Sequence, residues 1–417
     1  MNILRSSLAY YLNSFRGFSR EVWWLALATL VNRAGAMVLP FLSLYLTSAL
    51  NFSLQDVGWI MSAFGLGSFA GAWLGGELAH KFGAYRSMIF SLISSAVFFV
   101  ILGQLTSFWG ISLGIFTVAM ASDIFRPAVF VSLAAYARPE NRVRAITLIR
   151  LAINLGFSLG PAVGGLIIVF ISYQSLFWID GVTCFLAGII ILIGLVEKRT
   201  QRKEKAIDTR HSHRRILSDA RFMLFLGAVF LFCLLFVQYF SVIPVYYKGL
   251  RGLSEDEVGW LLSLNGLLIF LVEMPIIYAL DKRSTRPFLV MVIGSVCLML
   301  SFVFLFIPGW TGVLVVGMVL ATFAEIFCFP YSNNYAMQRG GAGNEGRYMA
   351  YYAMTFSLAH IVGHNFGMQV SDQLGFETLF VIMTLLSLVS VLLFALIGRK
   401  ENQEELTAIE QLPQVLP

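Results

Sequence analysis

Charge is scarce in this sequence. Lys, Arg, Asp and Glu make up 12% of 417 residues, roughly half the share of a soluble globular domain. That shortage excludes a water-exposed surface over most of the chain. Cysteine is scarcer still: the four present (Cys184, Cys233, Cys297, Cys328) lie inside apolar runs without paired or ligand-type spacing. A disulfide framework and a cysteine metal cluster are therefore not expected. No glycine-rich phosphate loop and no Ser/His/Asp arrangement stands out, so neither an enzyme nor a bound cofactor is expected. His360 and His364 have the i, i+4 spacing of a metal pair, but no acid or cysteine follows at matching spacing. They read as packing or cavity-polar residues, and no metal is expected.

What the chain has is apolar length. Hydrophobic residues make up 58%, enough for about twelve runs of the ~20 residues that cross a bilayer. Inside hydrocarbon every backbone N–H and C=O must find a partner within its own segment, which favours helices. The expected fold is an all-α integral membrane protein. Its spans, helix one to helix twelve, fall near 22–46, 56–80, 86–106, 110–136, 145–170, 174–196, 220–247, 256–280, 287–306, 311–337, 347–371 and 375–398. Residues 1–196 form an N-terminal six-helix half and 219–398 a C-terminal one; 197–218 form a basic linker, and 399–417 a tail.

The net charge of +6 does not imply nucleic acid, because the basic residues are unevenly placed. With both termini on the cytoplasmic side, 24 of the 29 Lys and Arg fall in cytoplasmic segments, and the outer loops hold Lys248 and Arg251. That is the positive-inside bias. The run from Trp23 to Leu46 is too long for a signal-peptide core.

The halves repeat. The stretch 123–165 begins with Asp123, Arg126 and Pro127, crosses a loop with Arg138, Arg142 and Arg144, and ends among Gly156, Gly160, Gly164 and Gly165. Adding 203 takes Pro127 to Pro330, Arg144 to Arg347, Gly160 to Gly363 and Gly164 to Gly367. An offset of 201 takes Gly58-Trp59 to Gly259-Trp260, and His80-Lys81 to Asp281-Lys282. Two six-helix halves joined in parallel, with pseudo-symmetry between them, account for both offsets.

Between helices two and three the chain reads Gly76-Glu77-Leu78-Ala79-His80-Lys81-Phe82-Gly83-Ala84-Tyr85-Arg86. This resembles the G-x-L-A-D-R-x-G-R-R loop of the major facilitator superfamily, with His80 at the usual aspartate; the second half keeps an acid, Asp281. Helix five, from Asn154 through Gly156, Gly160, Pro161 and Gly164 to Gly165, is similar to the glycine-proline motif of the superfamily's twelve-helix drug–proton antiporter branch. The resemblance implies a gate or motif role for Gly76, His80, Lys81, Gly83, Arg86, Gly156, Gly160, Pro161, Gly164 and Asp281. It also implies alternating access, a small-molecule substrate, and a monomer in the inner membrane of a bacterial cell.

Charges at mid-membrane depth cost about 3 kcal/mol each on insertion scales, so those retained are candidates for substrate or proton coupling: Arg33, Asp123, Arg126, Glu273 and Glu325. Asp123 and Arg126, three residues apart, share a helix face and are expected to pair. Glu273 precedes the helix-breaking Met274-Pro275. Arg150, six residues into helix five, reads as a gate residue. The function expected is secondary active, proton-coupled export of small amphipathic or drug-like molecules. A carrier of an anionic metabolite and a non-transporting membrane receptor or assembly factor are the alternatives.

Overall fold

The computed structural model describes residues 17–138, 142–197, 216–283, 285–340 and 345–410. Most of the expected linker and the end of the tail fall outside them, as do the side chains of His80, Arg142, Arg144, Asp281 and Arg347. Among the described residues every regular element is helical. The expected spans two, three, five, six, eight, nine and ten are occupied by Leu54–Lys81, Ala84–Leu102, Arg142–Phe170, Tyr173–Gly194, Glu255–Lys282, Pro287–Leu305 and Gly312–Gly340.

Among the described residues eleven helical runs are long and apolar enough to cross a bilayer, and the last, Tyr348–Gln403, has 56 residues. It divides at Gly375, whose φ of 81° and ψ of 165° are non-helical. Glycine enters that region without a Cβ penalty, so one residue separates helix eleven from helix twelve, and the described residues hold twelve crossings. Helix twelve continues to Glu410, past the boundary at 398 where the tail was expected to begin.

Two spans are broken where the sequence suggested continuity. Helix one runs Arg20–Ala34, lapses over residues 35–37, then resumes as Val38–Leu44 and the wider turn Tyr45–Ala49. Helix four continues from Phe108–Asp123 into Phe125–Tyr136 through Ile124, whose φ of −61° and ψ of −33° are helical. Helix seven runs Ala220–Phe236, tightens over Val237–Phe240 and ends as Val242–Gly249.

The chain forms two compact units: unit 1 is Met1–Asn51, Ala63–Glu204 and Leu253–Phe270, and unit 2 is Phe52–Ser62, Lys205–Gly252 and Leu271–Pro417. Compared with the sequence halves, the first turns of helices two and eight change sides. The cause lies in the 201-offset glycines. A Cβ on Gly58 would stand 3.1 Å from Met368 of helix eleven, and one on Gly259 2.4 Å from the Pro161 carbonyl of helix five. Helix two reinforces its contact through the Ser62 hydroxyl, which donates to the Ile361 carbonyl at 2.7 Å. The adjoining Trp59 and Trp260 are 56% and 55% exposed.

The 203-offset glycines have one structural purpose in both units. In unit 1, a Cβ on Gly160 would fall 3.3 Å from the Ala34 carbonyl oxygen, and one on Gly164 3.2 Å from Met37 Cβ, either side of the break in helix one. In unit 2, Gly363 and Gly367 receive the break in helix seven. Gln238, fully buried, donates Nε2 to the carbonyls of Leu234 at 2.8 Å and Gly363 at 2.7 Å. A Cβ on Gly367 would lie 2.0 Å from Gln238 Oε1. Small residues at four-residue spacing let backbones approach this closely. Gly367→Ala is expected to cost about 1–3 kcal/mol by overpacking, part of it recovered in the Gly367→Ala/Gln238→Ala double variant. Thermal midpoints of the detergent-purified proteins check this, and a midpoint unchanged in the single variant would contradict the seat.

Buried aromatic residues complete unit 2. Phe225 meets Tyr335 at a 4.6 Å centroid distance, Phe288 meets Tyr335 at 4.8 Å, and Phe329 meets Phe236 at 5.2 Å. Unit 1 has a smaller-chain core in which Val22, Leu25, Leu92, Val129 and Ile191 are all buried.

Candidate functional site

Helix one stops at Ala34 because three residues of irregular chain follow, and that lapse places Arg33 at the last helical turn beside helix five. Its guanidinium lies 5.7 Å from the Phe157 ring centroid, and its buried Nε has no hydrogen-bond partner. The carboxylate of Asp123 and the guanidinium of Arg126 both act on Arg33 electrostatically. Sequence reasoning thus named three residues that the fold brings into one charged group in unit 1.

Their pairing differs from the expectation. Asp123 accepts a hydrogen bond from the Ser68 hydroxyl of helix two and forms no ion pair with Arg126 among the described residues. Ile124, between the two residues, keeps a helical φ of −61° and ψ of −33°, so both lie on one helical run and the acid's hydrogen bond goes to Ser68 instead. Arg126 is exposed, and Asp123 half-buried. Two guanidiniums and one carboxylate therefore share this part of unit 1 with a hydroxyl as the acid's hydrogen-bond donor.

A residue that the sequence reading passed over closes the other side of helix one. Asp180 of helix six is 1% exposed. Its Oδ1 accepts from the Met37 N–H and its Oδ2 from the Val38 N–H, both at 3.0 Å. These donors exist because the helix restarts at Val38, where the first turn has no intrahelical acceptors. Gly35 makes the approach possible: a Cβ there would stand 1.8 Å from Thr183 Oγ1. The signal was present, an acid within the apolar run Leu176-Phe177-Trp178-Ile179-Asp180, together with the Arg33-Ala34-Gly35 sequence that weakens a helix.

Glu273 and Glu325 belong to unit 2. Glu273 is 8% exposed on helix eight, one residue before Met274 and two before the internal Pro275. Glu325 is half-buried near the middle of helix ten. On helix eleven His360 Nδ1 and His364 Nε2 lie 3.1 Å apart.

The motif residues lie at helix ends. Gly83 turns the chain into helix three with φ 87°, a left-handed value that explains glycine there; Gly76 has open space where a Cβ would be. Lys81 pairs with Glu77 at 3.7 Å, and Arg86 Nε with Glu197 at 2.8 Å. Exposed pairs of this sort contribute about 0–1 kcal/mol. Arg150 is exposed on helix five, and Pro161 lies inside that helix between Gly160 and Gly164. In unit 2, Asp219 caps helix seven and takes hydrogen bonds from Arg339 Nε at 2.9 Å and Arg339 Nη2 at 3.1 Å. Burial alone would raise its carboxyl, but Arg339, the Phe222 N–H and the Tyr348 hydroxyl outweigh burial and hold it below the usual carboxylate range. A cavity of about 540 Å³ adjoins it, lined by Ser218, Asp219, Gln338, Arg339 and Tyr348.

Among the described residues no group of three or more His, Cys, Asp or Glu has metal-binding geometry. The four cysteines are free thiols.

Comparison with known proteins agrees with this architecture. A family model described as Major Facilitator Superfamily matches residues 25–364 and 250–416. The chain is 25% identical over 374 residues to the uncharacterized MFS-type transporter YttB of Bacillus subtilis (strain 168), covering 88% of this chain and 92% of that protein. It is 24% identical over 360 residues to multidrug resistance protein MdtH of Aeromonas hydrophila subsp. hydrophila, covering 84% and 87%. Among solved structures, the nucleoside transporter NupG superposes with a TM-score of 0.72 at 17% identity over 90% of this chain and 98% of that one, a likeness of fold.

Proposed function

This chain belongs to the major facilitator superfamily, and from that premise we propose that it is a proton-coupled exporter of small amphipathic molecules, working by alternating access in a bacterial inner membrane with both termini cytoplasmic. The observation that carries the reading is the charge arrangement at membrane depth. Asp123 is bonded by the Ser68 hydroxyl while Arg33 and Arg126 act nearby without an ion pair among the described residues. Charges retained in a bilayer without fixed partners mark ion or substrate pathways. A carboxylate bonded to a hydroxyl can change partners as a cationic substrate arrives. The carboxylates Glu273 and Glu325 supply proton-binding groups in unit 2. Export of drug-like compounds is supported by the name of the multidrug resistance relative.

Substrate-dependent proton movement in proteoliposomes, across a panel of cationic dyes and organic anions, tests the proposal. Acidification or alkalinisation driven by dyes supports it; dye-independent proton leak alone contradicts it.

The buried, unpartnered Nε of Arg33 favours a second reading, a carrier of an anionic metabolite gripped by two guanidiniums. Lysine lacks the planar fork that holds a carboxylate or phosphate in two places. Under the anion reading Arg126→Lys is expected to lower transport roughly tenfold, equivalent to about 1.4 kcal/mol. Under the export reading the lysine variant transports nearly as well as the native protein. Transport rates at matched expression decide between them.

A further inference from the structure

Helices ten and eleven are registered by two contacts. The hydroxyls of Ser332 and Tyr352 are 2.9 Å apart, and the rings of Phe329 and Phe356 meet at a 5.7 Å centroid distance. Moving backwards along helix ten while moving forwards along helix eleven keeps the two chains in step, as antiparallel helices require. Each residue four further on shares the face of the one before. One more turn from Phe329 is Glu325; one more turn from Phe356 is His360, whose tilted ring meets Phe356 at a 4.8 Å centroid distance. Glu325 and His360 thus occupy the same level of one seam. A further turn along helix eleven, His364 is 1% exposed, and its Nε2 is 3.1 Å from His360 Nδ1.

We propose that Glu325, His360 and His364 form a single proton-binding chain across helices ten and eleven, with the two imidazoles sharing one exchangeable proton in addition to those of their neutral forms. This rests on the reading of the protein as a proton-coupled carrier and names the groups that hold the proton.

The chemistry follows from the N···N contact. Two neutral imidazoles at this distance form one hydrogen bond only if one ring nitrogen donates and the other accepts. Adding a proton converts one ring to an imidazolium, which donates to the neutral ring in a stronger, charge-assisted bond. A second proton would leave two donors facing each other and two like charges a few ångströms apart. The pair therefore binds one extra proton and resists another, and its titration belongs to the pair rather than to either ring. Glu325 supplies the counter-charge at the same level. When the proton leaves its carboxyl for the imidazoles, a carboxylate and an imidazolium remain. When it returns, all three groups are neutral. The charge sum is zero in both states, which avoids the insertion cost of an isolated charge.

Helix seven presents the uncharged Gln238 to Gly363, and its Cys233 is buried. The first turns of helix two present the Ser62 hydroxyl to Ile361; their acid, Asp56, is bonded to Ser53 at the start of that helix. Helix ten contributes Glu325 and the buried Cys328. His360 acts electrostatically on His364.

The test uses the full chain in lipid nanodiscs with ¹⁵N-labelled histidine, five residues in all. His360→Gln and His364→Gln assign the signals. A scalar coupling through an N–H···N bond between the two rings is expected, together with a joint titration that moves when Glu325 becomes glutamine. Two rings titrating independently, or a joint titration indifferent to Glu325→Gln, overturns the proposal. In proteoliposomes, His364→Gln is expected to lower gradient-driven accumulation about tenfold or more while substrate affinity stays within about twofold of wild type. Wild-type accumulation in monodisperse His364→Gln also overturns it. His364→Asn gives the same reading should the glutamine variant fail to fold. Because the ring titration needs no substrate, it judges the proton chain even if no compound drives proton movement and the transport reading falls.

Discussion

Glu325→Gln is expected to abolish gradient-driven accumulation while substrate binding and some substrate exchange survive. Glutamine keeps the size and most of the hydrogen-bonding capacity of the side chain but has no proton to give up. Coupling requires a group whose protonation differs between the two access states, because a ligand shifts an equilibrium only by its differential affinity. Asp123 differs in environment: it is bonded to Ser68 and acts on Arg33, so Asp123→Asn should alter substrate binding rather than coupling. Calorimetric affinities paired with uptake into proteoliposomes, with and without a pH gradient, separate the two effects. Uphill accumulation at the wild-type level in Glu325→Gln would remove Glu325 from the coupling role.

Asp180→Ala is expected to be the most damaging single change to the stability of unit 1. A hydrogen bond contributes about 0.5–1.5 kcal/mol net and a buried donor left without a partner costs about 1–3 kcal/mol; the Asp180 side chain accepts two bonds from the restarted helix one. The Met37 N–H retains a second acceptor, the Gly35 carbonyl at 2.7 Å, so the principal orphan in the variant is the Val38 N–H. A net loss near 3 kcal/mol would lower the thermal midpoint by about 10 °C in a protein of this kind. Asp180→Asn, with one carbonyl oxygen in place of two carboxylate oxygens, should fall between. Thermal unfolding of the detergent-purified variants followed by size-exclusion chromatography reads this directly. An alanine variant that melts with wild type would show that the carboxylate bonds contribute nothing.

The sequence made the membrane class, the helix count and the duplication legible because each rests on many residues at once. An apolar run of twenty residues tolerates errors at its ends, and the offsets of 203 and 201 recur at several glycines. The purpose of Gly160, Gly164, Gly363 and Gly367 was only half legible. Spacing showed that something approaches closely, but not that it is the break in helix one or helix seven. The breaks themselves were missed since residues 35–37 carry no charge and Val237–Phe240 has Gln238 as its one amide among apolar neighbours. Hydropathy carries no information about a lapse that a distant side chain satisfies. The Asp123–Arg126 pairing failed for a related reason: i, i+3 spacing places two groups on one face but does not show that a hydroxyl of another helix, Ser68, takes the acid. The part played by Asp180 and the register of helix ten against helix eleven both depend on contacts between helices, which no single-helix pattern encodes.

The bond from Asp180 to the Met37 and Val38 N–H groups also sets a calendar for biosynthesis. The two partners are 143 and 142 residues apart, so the break in helix one is synthesised while five of its neighbours, including its acceptor, are still to come. Until helix six enters the bilayer, the restarted turn must either keep a continuous helical form or remain beside a polar surface in the insertion machinery. Helix one can reach its final shape only after six spans have been made. Its first residues to leave the ribosome are thus among the last in unit 1 to settle, and Asp180→Ala would leave that step without its closing contact.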